Sequence, residues 1–116
     1  MVGINNIYTF DKFCQTMNAE SFGKLIKTAR NKKNMDLKEV QSETGIDFSL
    51  LSRLETGERL PSKEQVYHLA DFYDIDRNEL LIAWQGDKVY TCIKDYDLNI
   101  IEQVLDIVKN RFKQHN

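Results

Sequence analysis

Residues Leu37–Thr56 read LKEVQSETGIDFSLLSRLET, two short runs with apolar faces separated by Thr44-Gly45-Ile46. In the first run Leu37 and Val40 share a helical face. Asp36, with Glu39 three residues on, forms an acidic capping box ahead of them, so a helix is expected from about Leu37 to Glu43. Gly45 suits the left-handed conformation that ends a helix. Asp47 is the next N-cap, and Leu50, Leu51 and Leu54 give the second run its inward face before Gly57 stops it, which predicts a helix over Phe48–Thr56. The stretch therefore encodes two short helices joined by a three-residue turn.

The pattern continues on both sides. Upstream, Phe22, Leu25, Ile26 and Ala29 fall at i, i+3, i+4 and i+7 and predict a helix over residues 21–33, with Asn34 as its stop. Downstream, Gly57-Glu58-Arg59-Leu60-Pro61 is a loop. Ser62 and Gln65 form a capping box before Val66, Leu69, Ala70 and Tyr73, and Asp76 with Glu79 repeats the device before Leu80, Leu81, Ala83 and Trp84. Gln85-Gly86-Asp87 reads as a break. In Lys88–Lys94 (KVYTCIK) a short strand or irregular segment competes with helix. From Asp97, a further N-cap, Ile101, Val104, Leu105, Val108 and Phe112 recur at helical spacing with Glu102, Lys109 and Lys113 opposite. That amphipathic helix packs either on its own domain or against the same helix of a second subunit. No internal repeat is visible, and the caps at short intervals define an all-α fold.

Composition bounds the function. A chain of 116 residues holds one domain and a helical extension, which excludes a large multidomain enzyme. Hydrophobic residues at 41%, charged ones at 29% and a single Pro describe a folded, helix-rich protein. The net charge of −2 argues against nucleic acid when taken over the whole chain, but it is a sum of opposed parts. Residues 1–20 carry −1. Residues 21–63 hold nine bases against six acids, a net of +3, and residues 64–116 hold six against ten, a net of −4. The basic cluster Lys24, Lys27, Arg30, Lys32 and Lys33 reads by itself as a solvated helix face, with phosphate binding as the alternative.

Other classes find little support. Cys14 and Cys92 are too far apart in sequence for a C-x-x-C motif and read as reduced intracellular thiols. The opening MVGINNIYTFDKF has neither the basic start nor the apolar run of a signal peptide, so a cytoplasmic protein is expected. Met17-Asn18-Ala19-Glu20 offers a second natural start. If residues 1–20 are a genuine N-terminal extension, Ile4, Ile7, Phe10 and Phe13 supply an apolar face for the core or a dimer seam. His68 and His115 have no partners at metal-ligand spacing. There is no nucleophile–base pairing and no phosphate-binding glycine loop, so no catalytic residue, metal or cofactor is expected.

Across Phe22–Trp84, about half the chain, the sequence resembles the lambda-repressor/Cro-like (XRE) helix-turn-helix family without a gap. The resemblance rests on several matches. Gly45 stands at the turn, Val40, Ile46, Leu51 and Leu54 at the packing positions, Leu54-Glu55-Thr56-Gly57 before Pro61-Ser62, and Ile75-Asp76 and Glu79-Leu80-Leu81 follow in register. It implies a five-helix lambda-repressor-like DNA-binding domain over residues 21–84 with a C-terminal amphipathic extension over residues 85–116.

The resemblance also assigns roles. The third helix would lie in the major groove with Phe48, Ser49, Ser52 and Arg53 at base edges. Arg53 is suited to guanine and Phe48 to a thymine methyl; the alternatives are a solvated Arg53 and a Phe48 that staples the start of its helix. Lys38, Arg59, Ser62 and Lys63 would contact phosphates, the last two at a helix N-terminus, with Lys32 and Lys33 adding longer-range attraction. Arg30 and Glu55 occupy the positions of a structural ion pair.

Two departures stand out. Leu37 replaces the Gln that usually binds phosphate, and Gln41 replaces a small residue against the reading helix, so that the helix angle changes or Gln41 turns outward.

The resulting expectation is a dimeric repressor reading a pseudo-palindromic operator, with Ile101, Val104, Leu105, Val108 and Phe112 at the dimer interface. The spacing through Pro61-Ser62 also resembles controller proteins of restriction–modification systems. The competing expectation is an antitoxin-like regulator that acts through a protein partner docked on residues 85–116.

Overall fold

Each helix of the computed structural model, which describes residues 20–115, starts on a side chain that accepts a hydrogen bond from a first-turn amide. Helix α1 (Phe22–Lys32) is capped by Ser21, α2 (Leu37–Thr44) by Asp36, α3 (Phe48–Thr56) by Asp47, and α4 (Lys63–Phe72) by Ser62. Asp76 caps α5 (Arg77–Ile93), and Asp97 stands before α6 (Leu98–His115), accepting from the amide of Ile100 at 3.0 Å. These caps matter because the first four amides of a helix have no partner within it. The boxes at Asp36/Glu39 and Ser62/Gln65 are reciprocal, as the spacing predicts. Asp76 differs, accepting from the amide of Asn78 at 3.2 Å rather than forming the box with Glu79.

Helices α1 to α5 wrap one core in which α1 packs on α3 and α5, α2 on α3 and α4, and α4 on α5. Phe22 and Ile26 come from α1, Val40 from α2, Leu51 and Leu54 from α3, Val66, Leu69 and Ala70 from α4, and Leu80 and Trp84 from α5, with Tyr73 just beyond α4. No described residue is in a strand.

Helix α1 comes close to the end of α3. A Cβ on Gly23 would lie 2.5 Å from the carbonyl oxygens of both Leu54 and Glu55, so only glycine admits this contact. Glu55 then meets Arg30 from α1. The guanidinium donates from Nε at 2.7 Å and from Nη2 at 2.9 Å to the two carboxylate oxygens, while Nη1 reaches the carbonyl of Met35 at 3.0 Å. This hydrogen bonding raises the Arg30 pKa against the opposing effect of burial. Burial, followed by the charge of Glu55, pushes Tyr73 up to about 12.

The expected break at Gln85-Gly86-Asp87 is absent, because α5 runs without interruption from Arg77 to Ile93. Lys88–Ile93 is therefore helical, which settles the competition between strand and helix. A tertiary bond accompanies the continuity: Asp87 Oδ2 accepts from the amide of Phe22 at 3.0 Å, so the middle of α5 caps the start of α1. A boundary at residue 84 falls inside this helix.

Helix α6 is different. None of its residues belongs to the core or to the partly buried residues packed against it. Met17, Cys14 and the apolar positions Ile4, Ile7, Phe10 and Phe13 lie outside the described residues.

Candidate nucleic-acid interface

The geometry of α2 and α3 is set by the turn between them. Gly45 takes the left-handed conformation, φ 78°, and its amide closes on the carbonyl of Gln41 at 2.8 Å. The Thr44 hydroxyl donates to the carbonyl of Val40 at 2.7 Å and accepts from the amide of Ile46 at 3.2 Å, which holds Ile46 half-buried under the turn. Across it, the side-chain oxygen of Gln41 accepts from the amide of Phe48. Gln41 thus faces α3 and clasps its first residue, so the departure from a small residue here adds a cap. With Asp47 accepting from the amide of Ser49 at 2.9 Å, two first-turn amides of α3 are occupied within the protein.

Outward from this frame, Phe48, Ser49 and Arg53 are exposed and Ser52 is half-buried. All four belong to α3, whose opposite face carries Leu51 and Leu54 into the core. Phe48 retains 40% exposure at the first helical position and stands outside the core cluster. The Arg53 guanidinium lies 3.9 Å from the carboxylate of Glu58, with more than half of each side chain exposed. Such a pair is worth little in water and is readily exchanged for another partner. Glu58, absent from the sequence-derived set, is its neighbour because the chain turns back after α3. Gly57 is left-handed at φ 84°, and the carbonyl of Arg53 accepts from the Thr56 hydroxyl at 3.1 Å and from the amide of Arg59 at 3.3 Å. The same turn fixes Arg59 just beyond the end of α3.

Lys38 is exposed in the first turn of α2. Ser62 and Lys63 sit at the start of α4. There the capping box occupies the amides of Ser62 and Gln65 and leaves those of Lys63 and Glu64 without an acceptor among the described residues. Free first-turn amides favour an anion. The Lys63 ammonium lies over the Tyr67 ring at 5.7 Å, and Arg77, 4.9 Å from the same ring, is paired to Asp71 at 2.7 Å. Lys33 lies over Phe72 at 5.3 Å. His68 bonds the carbonyl of Thr44 at 3.1 Å and so ties α4 to the end of α2.

Ile101, Val104, Leu105, Val108 and Phe112 share the apolar side of α6, and all but the half-buried Ile101 are exposed. Between α5 and α6 a groove of about 330 Å³ is lined by Ile93, Tyr96, Ile100, Ile101 and Val104. Cys92 is a free, exposed thiol. Among the described residues no group of three or more His, Cys, Asp and Glu could hold a metal ion, and no helix is long and apolar enough to cross a membrane.

A helix clasped at its start, one face in the core and the other free, beside a second helix fixed by a glycine turn, defines a helix-turn-helix unit. The chain belongs to the helix-turn-helix domain family, which matches residues 23–83. No curated protein and no solved structure matches it. Membership supports a DNA-binding regulatory role.

Proposed function

We propose that the protein is a sequence-specific transcriptional regulator of the lambda-repressor/Cro-like kind, a homodimer that occludes a pseudo-palindromic operator. The observation that carries this reading is the free face of α3, with Arg53, Ser49 and Phe48 exposed on a helix whose angle and start are fixed by the core and the Gln41 clasp. In the major groove Arg53 would leave Glu58 for a guanine edge, Ser49 and Ser52 would donate or accept, and Phe48 would contact a thymine methyl. Lys38, Arg59 and the start of α4 at Ser62 and Lys63 would hold phosphates on either side. The DNA-binding unit takes in α5, since Asp87 caps α1, and the extension proper begins after Ile93. Residues 21–63, with their +3 balance, contain the whole contact set, whereas residues 64–116 carry the −4 balance. Control of a restriction–modification operon is one setting for such a regulator.

Paired substitutions test the assignment. Arg53→Ala is expected to relax preference at one base position by about 1–3 kcal/mol. Arg59→Ala should instead weaken binding to all sequences and reduce the salt slope by about 1. Uniform weakening by Arg53→Ala would remove Arg53 from the base contacts. A second reading, a regulator working mainly through a foreign protein docked on residues 85–116, draws on the open apolar side of α6.

A further inference from the structure

Helix α6 presents Leu98, Ile101, Leu105, Val108 and Phe112 at alternating spacings of three and four, the seam of a two-helix coiled coil. No core residue covers that seam. Its charges are segregated along the axis: residues 95–106 hold Asp95, Asp97, Glu102 and Asp106 and no base, while residues 107–115 hold Lys109, Arg111 and Lys113 and no acid. The helix dipole favours this polarity only within the first and last turns. Glu102, Asp106 and Lys109 lie further in, where the dipole does not account for the segregation.

We propose that α6 pairs antiparallel with α6 of a second copy of this chain. This rests on the dimeric reading above and gives it an orientation. In that register Leu105 layers against the partner's Val108 and Ile101 against the partner's Phe112. Glu102, flanking Ile101, then faces the partner's Lys109, and the two-fold axis generates the pair twice. The acidic half of each helix lies along the basic half of the other. Parallel pairing would set like charges side by side over the whole length, which disfavours it. The groove lined by Ile93, Tyr96, Ile100, Ile101 and Val104 meets the seam at Ile101 and otherwise lies at its flank.

The test is sedimentation equilibrium of the full chain without DNA, so that its outcome is independent of whether the chain reads an operator. The wild type is expected to be a reversible dimer. Glu102→Lys and Lys109→Glu should each weaken self-association about tenfold, because each turns two attractive contacts into two repulsive ones. The double variant should return to within about threefold of wild type. Both sites are exposed, and circular dichroism should show unchanged helix content in all three variants. A wild type that stays monomeric at every concentration would overturn the proposal, with the face then left to residues 1–19 or to a foreign protein. Single variants that associate as tightly as wild type, or a double variant no better than the singles, would overturn the antiparallel arrangement.

Discussion

Helices α3 and α6 carry similar apolar patterns, yet Leu51 and Leu54 of α3 are 1% exposed whereas Val104 and Leu105 of α6 remain 37% exposed. Periodicity marks an inward face without saying what the face meets. In α3 the neighbour is intramolecular, fixed by Gly23 and by Arg30 on Glu55, and the opposite face is left exposed. In α6 the apolar side itself is free. The protein thus divides into a closed body that holds a polar surface steady and a helix whose apolar side is exposed.

The sharpest way to break this contrast is to truncate one leucine in each region. Leu54→Ala should cost about 3 kcal/mol in chemical denaturation, from lost burial and the cavity left behind. Leu105→Ala, measured at a concentration low enough to keep the chain monomeric, should change stability by less than about 0.5 kcal/mol. Equal losses would mean that α6 belongs to the body. Next comes Gly23→Ala, expected to cost about 2 kcal/mol because its Cβ would press on two backbone oxygens that cannot rotate away.

Asp87 probes the seam between body and extension. Asp87→Ala should cost about 1 kcal/mol by leaving the Phe22 amide without its acceptor. Burial raises the Asp87 pKa above its ordinary 3.8, only partly offset by the Phe22 amide, so the folded state binds this proton more tightly than the unfolded chain. The resulting stabilisation is complete below 3.8 and is lost as the pH rises through the folded value. Against Asp87→Asn, which keeps an acceptor and does not titrate, the wild type should therefore lose ground over that window; a difference independent of pH would contradict the burial. The smallest effect is a gain. Gly86 lies inside α5 with open space where a Cβ would sit, so Gly86→Ala should stabilise by about 0.5–1 kcal/mol in thermal melts. A loss there would restore the break that α5 lacks.

Much of the body was readable because its punctuation is local. Asp36/Glu39, Ser62/Gln65, Gly45 and Gly57 act within a few residues of where they stand, and the bounds of α2, the end of α3 and the start of α4 follow from them. What escaped depends on distant residues. Gly86 looks like a stop because a glycine weakens a helix, but Asp87 reaches across to α1 and the core holds α5 as far as Trp84. Gly23 carries no local signal for its contact with the end of α3. Gln41 could be flagged as unusual, yet whether it turned outward or clasped α3 depended on the amide of Phe48 coming within reach. At the candidate interface the exposed residues of α3 follow from its inward leucines, whereas the Glu58 neighbour of Arg53 required the fold-back after Gly57.

The central claim is that the free face of α3 reads DNA in two copies related by a two-fold axis. Selection of bound sites from random duplex DNA by the full chain, at a stated salt concentration, tests it most directly. The predicted result is an enriched, pseudo-palindromic sequence whose half-sites lie about one helical turn, roughly 34 Å, apart, with preference at one position of each half lost in Arg53→Ala. Enrichment of no sequence, or of an asymmetric site indifferent to Arg53, would contradict it.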